Sequence, residues 1–215
     1  MPSALGSRLV NVAATWIGTE ALGPGLRSVA WVQGCPFRCP GCLSPDWIPN
    51  RVARLVPPAR LAAELLRDEA VEGLTFSGGE PMLQAAALAE VARRARQARD
   101  VTLICFTGFE LQQLKRRPPG AGVDELLAQV DVLIDGRYVE ARDDGRGLRG
   151  SDNQQVHHLT DRLARSGYDF VGRPRTAEIK VSGHEAYLIG VPPPGLVSAF
   201  DVAVDRAREH RGGSG

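Results

Sequence analysis

Cys35-Pro36-Phe37-Arg38-Cys39-Pro40-Gly41-Cys42 places three thiols within eight residues. A Cys-x3-Cys-x2-Cys spacing lets three soft thiolates converge on one small metal centre, one short of the four that a single iron or a structural zinc takes. The shortfall is informative. A cubane [4Fe-4S] cluster held through three of its irons leaves the fourth open to a small molecule. Two other uses of the thiols compete with this one. A disulfide framework fits poorly with 215 residues and Cys105 as the only further cysteine. A zinc-stabilised interaction module is the stronger rival, because Cys105, His157, His158 or His184 could close a tetrahedron.

A second stretch, Ser77-Gly78-Gly79-Glu80-Pro81, bears on the choice. Adjacent glycines bare their backbone N–H and C=O groups, and a carboxylate after them can hold an ammonium group. The plainer reading is a tight strand-to-helix turn with Pro81 at the helix start. Lying one strand beyond the cysteines, the turn favours a ligand amine as its guest, since consecutive strand ends are neighbours. A zinc knuckle would have no need of it.

The elements that must position these residues follow from pattern. Residues 8–17 alternate loosely and read as an edge strand or hairpin. Residues 26–33 form a strand that runs into Gly34 and the cysteine loop, so the thiols sit past a strand's C-terminal end, where α/β sheets place their chemistry. After a proline-rich link over 45–58 come a helix at 59–70, a strand at 73–76, a helix at 82–99 and a strand at 101–106. Short helices at 110–116 and 123–129 precede a strand at 130–134 closed by Asp135-Gly136. The alternation argues a parallel sheet with right-handed crossovers, either a partial barrel or an open doubly wound sheet. After Arg149 it stops. Residues 176–181 and 185–190 read as a terminal β hairpin, and 206–215 as a frayed tail.

Composition narrows the function classes. A net charge of +1, with lysine only at Lys115 and Lys180, gives no electrostatic case for nucleic acid. No apolar run approaches the roughly 18 residues of a membrane span. No charged n-region with an apolar h-region opens the chain, so the cytoplasm, whose reducing conditions suit thiolate ligands, is the expected compartment.

These residues resemble the radical S-adenosylmethionine superfamily and, within it, the small glycyl-radical activating enzymes, above all the activating proteins of anaerobic ribonucleoside-triphosphate reductases. The matching segments are Gly23-Pro24-Gly25-Leu26-Arg27, Val32-Gln33-Gly34 before Cys35, Cys39-Pro40-Gly41-Cys42 and Phe76-Ser77-Gly78-Gly79-Glu80-Pro81. Thr107-Gly108-Phe109, Asp131-Val132-Leu133-Ile134-Asp135-Gly136 and Leu148-Arg149-Gly150-Ser151-Asp152-Asn153-Gln154 match as well, over about residues 10–159. The resemblance implies an α/β fold, a partial (βα) barrel with parallel strands, as a core domain over 1–159. A C-terminal extension over 160–215 would carry the small β hairpin and a disordered tail.

The resemblance also implies a mechanism. Cys35, Cys39 and Cys42 would each ligate one iron of a [4Fe-4S] cluster, and the methionine amine and carboxylate of S-adenosylmethionine would chelate the fourth. Gly78, Gly79, Glu80 and Pro81 would form the amine-binding turn. Reductive cleavage would give a 5′-deoxyadenosyl radical, which takes a hydrogen atom from a glycine of a partner glycyl-radical enzyme; a flavodoxin- or ferredoxin-type donor would supply the electron. Another peptide or a small molecule is the alternative substrate.

Further candidates carry plainer alternatives. Thr107 could bond the cofactor or cap a helix. Asp135 could face the site or merely form an Asp-Gly turn. Arg149 and Asn153 could position cofactor or partner backbone or order a surface loop. Phe37 reads as loop packing, Cys105 as a small buried hydrophobe, and His157 and His158 as surface or cap residues at a helix start. Arg93, Arg94, Arg96 and Arg99 read as a solvated helix face, with partner or flavodoxin docking as the functional alternative. Three features depart from the family pattern: Leu43-Ser44 after the last cysteine and a glycine, Gly41, where an aromatic residue is common, both compatible with cluster binding, and the 160–215 extension, which could recognise a different partner.

Overall fold

In a computed structural model, which describes residues 9–182 and 185–212, the chain opens with β1 (Val10–Thr19), β2 (Arg27–Val32), β3 (Arg54–Val56) and α1 (Pro58–Leu65). It continues through β4 (Gly73–Gly78), α2 (Ala85–Ala98), β5 (Thr102–Phe106), α3 (Leu111–Arg116), α4 (Val123–Leu127) and β6 (Val132–Asp135). It ends with β7 (Gln155–His158), β8 (Ala177–Ser182), β9 (Glu185–Gly190) and α5 (Leu196–Gly212). Seven strands form one sheet in the order β3-β1-β2-β4-β5-β6-β7, and β8 and β9 form a separate pair. The ladders β2–β4, β4–β5 and β5–β6 are parallel. Strands β1, β3 and β7 join antiparallel. The architecture is therefore mixed α/β, with a largely parallel central sheet and a C-terminal strand pair.

Three expectations are corrected. Strand β1 is not an edge, because the short strand β3, hidden in the proline-rich link, pairs with it from Val10↔Val56 to Val12↔Arg54. His157 and His158 do not start a helix; they lie on β7, opposite Leu133 and Val132. Residues 206–212, read as a frayed tail, continue α5.

Alternation along the central strands explains the two cores. Ala30, Leu74, Phe76, Leu103, Cys105 and Leu133 point to one face, where the apolar stripes of α1, α2 and α4 cover them. Val29, Ile104, Val132 and Ile134 point to the other, where Leu148, Leu163, Phe170, Ile189 and Val191 cover them. The second face is thus roofed by loop segments and the C-terminal strand pair instead of a helix layer. Burying each such aliphatic side chain contributes about 1.5–3 kcal/mol. The α2 arginines are in use as well: Arg93 and Arg94 pair with Glu90, Arg96 reaches Asp131 at 2.7 Å, and Arg99 donates to carbonyls beyond the end of α1.

At the N-terminal ends of the parallel strands, Arg27 is fully buried. Its fork donates to Thr75 Oγ1, the Pro24 carbonyl, Thr102 Oγ1, the Leu74 carbonyl and the Thr102 carbonyl. All five donors of a guanidinium are then matched, and β2, β4 and β5 are tied together. Gly73 makes room for it, since a Cβ there would meet Arg27 Nη1 at 2.3 Å. Burial is the main cost and pushes the guanidinium down to about 9, although Asp131 and Glu72 oppose the shift. Arg27→Lys, whose ammonium has three donors and no fork, is expected to lower the unfolding free energy by about 1–3 kcal/mol, measured by chemical denaturation.

Candidate active site

Strand β2 ends at Val32, and the chain turns through Gly34, whose φ of +97° is open to glycine at little cost. Gly34 N–H donates to the Trp47 carbonyl at 2.8 Å and Cys35 N–H to the Ile48 carbonyl at 3.0 Å, so the cysteine loop doubles back on the 3-10 turn at Pro45–Trp47. Cys42 N–H closes on the Cys39 carbonyl at 3.2 Å. Gly41 adopts φ +70°, and a Cβ on it would lie 2.8 Å from Glu140 Cδ. Glycine at the position before Cys42 is thereby explained.

Cys35, Cys39 and Cys42 are all partly buried and line one cavity. Burial pushes the Cys35 thiol up to about 11, with Glu80 and the neighbouring thiols adding to the shift and the Phe37 backbone N–H opposing it. Burial raises Cys39 as well, followed by the charge of Cys42. Three soft sulfurs in this setting fit an iron–sulfur core, whose positive metal ions reverse the penalty on thiolate. The residues proposed to complete a zinc site are engaged elsewhere. Cys105 is fully buried in β5, His157 bonds Asp135 Oδ2 at 2.9 Å, and His158 packs edge-on against Phe170; His184 lies outside the described residues.

The glycine turn is set by a close approach of two backbones. Gly79 N–H donates to the Val32 carbonyl at 2.7 Å and Glu80 N–H to the Gly34 carbonyl at 2.9 Å. A Cβ on Gly79 would stand 2.3 Å from Gly34 O, and one on Gly78, at φ +100°, 2.5 Å from Val32 N. Both glycines, with Ser77 and Glu80, line the cysteine cavity, whereas the buried Pro81 opens the following 3-10 turn and does not.

Glu80 joins this turn to the next strand end. Its Oε1 accepts from Met82 N–H at 2.9 Å and from the Thr107 hydroxyl at 2.8 Å, and its Oε2 accepts from Gly108 N–H at 2.8 Å. Of roughly four lone-pair sites on a carboxylate, about one remains for a ligand. Burial raises Glu80 to about 7 despite those three hydrogen bonds. Thr107 lines the cavity too, but its hydroxyl is committed, donating to Glu80 and accepting from Phe109 N–H at 3.2 Å.

Three other candidates point away. Asp135 Oδ2 accepts from Leu111 N–H at 2.6 Å and faces a neighbouring polar cavity, where Asn153 also lies. Asn153 Nδ2 donates to the Arg137 carbonyl at 2.8 Å and its Oδ1 accepts from Ser151, an internal brace of the loop. Arg149 donates to the Asp152 carbonyl at 2.9 Å and to Asp144 at 2.8 Å, in the same loop.

Other residues complete the cysteine cavity. Gly136, Gly150 and Gln154 close its far side, and Gln154 holds them in place by donating to the Gly136 carbonyl at 2.7 Å and accepting from Gly150 N–H at 2.7 Å. Gln154 stands beside Asn153 in the segment singled out from sequence, but only the direction of the loop decides which of the two faces inward. Phe37 lines the cavity while packing on Phe109 and under the Arg137 guanidinium. From beyond the central sheet, Gly190 and Val191 supply a wall that no sequence signal indicated.

Comparison with known proteins bears on this geometry. Residues 21–157 match the family model for a 4Fe-4S single cluster domain. The activating protein of anaerobic ribonucleoside-triphosphate reductase from Vibrio cholerae is 33% identical over 147 residues, 64% of this chain and 91% of that protein. This chain belongs to the family of anaerobic ribonucleoside-triphosphate reductase-activating proteins. The protein of the same name from Enterobacteria phage T4 is 30% identical over 65% of this chain and 88% of its own length. The pyruvate formate-lyase-activating enzyme of Clostridium pasteurianum is 33% identical over 61% of this chain and 56% of its own length. The family match includes the three cysteines, the glycine turn and Gln154, and it ends before β8.

Glu80 sets a test. Its folded value of about 7 lies above the ordinary 4.5, so the folded state binds more protons in that window and stability falls as pH rises from about 4.5 to about 7. In the cluster-free protein, Glu80→Gln is expected to flatten this part of the profile. It is also expected to cost about 1–3 kcal/mol, because a Gln amide that faces the Gly108 or Met82 N–H presents donor to donor. Denaturant titrations at pH 5, 6 and 7 read both effects.

Proposed function

We propose that this chain is a radical S-adenosylmethionine enzyme that removes a hydrogen atom from a glycine of a partner glycyl-radical enzyme of the anaerobic ribonucleotide reductase type. The observation that carries the reading is the sharing of one cavity by Cys35, Cys39, Cys42 and the Gly78-Gly79-Glu80 turn at the C-terminal ends of β2 and β4. The names of the relatives supply the partner class.

The three cysteines would hold three irons of a [4Fe-4S] cluster. When bound, the cluster would supply the reducing electron and S-adenosylmethionine the radical chemistry that takes hydrogen. The remaining work falls to the chain itself. The bare backbone of Gly78 and Gly79 and the free lone pair of Glu80 orient the methionine ammonium. Thr107 and Gly108 fix the Glu80 carboxylate so that it cannot rotate away from that amine. Phe37, packed on Phe109, keeps water from the reacting atoms. Glycine suits the reaction because its α-radical flattens and delocalises into both flanking peptide groups.

The sheet is read as an opened (βα) barrel in which residues 1–159 carry the chemistry and 160–215 form an extension. The electron comes from a flavodoxin- or ferredoxin-type donor, in the reducing cytoplasm that thiolate ligands require. No helix among the described residues is long and apolar enough to cross a membrane. A different peptide substrate remains a second reading, favoured by the wall that Gly190 and Val191 add from outside the family match.

After anaerobic reconstitution, iron and sulfide are expected in near-equal amounts, near four each per chain as a [4Fe-4S] cluster dictates. S-adenosylmethionine, a reductant and the host's anaerobic reductase should then yield a glycyl-radical doublet by electron paramagnetic resonance. About one zinc with no sulfide would overturn the reading. Cys39→Ala is expected to lose the intact cluster and all cofactor cleavage, and cleavage retained by that variant would remove Cys39 from the ligand set.

A further inference from the structure

Two of the places where this chain departs from its family pattern, Leu43-Ser44 and the C-terminal extension, face each other. A groove runs between the cysteine loop and α5, with Trp31, Leu43 and Trp47 on one wall and Leu188, Val197 and Phe200 on the other. Leu43 is 48% exposed and Val197 37%, so apolar surface here stands uncovered on both sides. Trp31 and Trp47 pack with ring centroids 5.5 Å apart and stiffen one wall. The groove opens directly into the cysteine cavity, because Trp31, Leu43, Ser44 and Gly190 line both.

The extension is held where it is by specific interactions. Arg175, nearly fully buried, pairs with Asp143 at 2.8 Å and donates to the Gly150 carbonyl at 2.8 Å and the Pro192 carbonyl at 3.3 Å. Ile189 and Val191 are buried in the second core, and Trp16 packs on Tyr187. The backbone at Gly190 passes so close to Thr176 O that a Cβ would meet it at 2.7 Å. The segment that leads into α5 is therefore anchored as far as Val191 and Pro192.

Charge defines what fits. Asp46 and Asp201 line the groove from opposite walls, both exposed, and neither carboxylate has an ion-pair partner among the described residues. We propose that the groove seats an extended segment of the partner polypeptide, apolar on either side of the reacting residue and bearing a lysine or arginine that meets Asp46 and Asp201. The proposal rests on the radical-enzyme reading for the identity of the reacting residue. Its support is the groove itself: continuity with the cavity, two uncovered apolar walls and two unpaired carboxylates of one sign. Sequence selectivity would then arise where the cysteine loop meets a segment that the family match does not reach.

The test uses the reconstituted full chain and two fluorescein-labelled, glycine-centred nonapeptides with valine and leucine flanks, one carrying two lysines and the other two glutamates. Fluorescence anisotropy is expected to show tighter binding of the lysine peptide. In the D46K/D201K double variant the preference should reverse, each peptide changing by about three- to tenfold. The milder D46N/D201N variant should abolish the preference, which keeps the test decisive if the reversal variant misfolds. Equal binding of both peptides, no binding, or a preference untouched by the substitutions would overturn the proposal. So would a wild-type dimer that Val197→Glu converts to monomer in sedimentation, since the groove would then be an interface between copies. Cofactor cleavage by the wild-type protein without any partner tests the underlying reading separately, and anisotropy does not depend on it.

Discussion

The approach of two backbones at the C-terminal ends of β2 and β4 is the constraint on which the site depends. Gly79 and Gly34 pass at a distance that a single methyl group would forbid, and two hydrogen bonds, from Gly79 N–H to Val32 and from Glu80 N–H to Gly34, lock the crossing. The cysteine loop starts on one side of that crossing and Glu80 on the other. Glu80 then reaches to Thr107 and Gly108 and binds the end of β5 into the same unit. Three strand ends thus become one rigid rim, and the thiols hang from it. A buried carboxylate is costly, and here three protein donors offset the cost without leaving it fully satisfied, which is the state in which a ligand ammonium gains most.

The opposite ends of the same strands are closed by a different device. Arg27 spends all five donors on neutral acceptors from β4, β5 and the turn before β2. A sheet fixed at both ends holds its rim in place while the loops beyond it vary. The covering of the second face is the less common feature. Phe170, Ile189 and Val191 bury Val29, Ile104 and Val132 where a helix layer would otherwise lie. The C-terminal segment is consequently part of the packing that supports β2 and β5, as well as a wall of the cavity. Val191 does both at once, lining the cavity and packing in the second core.

Much of this was legible in the chain. The thiol spacing, the strand before it and the glycine turn one strand later are local patterns, and parallel strand order follows from the alternation with helices. Strand β3 was not legible, because three residues inside a proline-rich link carry no period of their own. Strand β7 was missed because Gln155, Val156, His157 and His158 lack a continuous apolar run. They are a strand only because β6 offers them an antiparallel edge.

The sequence alone determined which atoms can bind a metal centre and in what order the parallel strands are laid down, since both depend on residues close together along the chain. Only the tertiary structure decided where side chains spend their hydrogen bonds. Thr107 goes to Glu80, Asp135 turns to His157 and the α3 terminus, Asn153 braces its own loop, and Gln154 beside it lines the cavity. Tertiary structure also brought Gly190 and Val191 beside the cysteines, more than 145 positions away in the chain. Those outcomes depend on loop direction and long-range packing, which a one-dimensional pattern does not encode.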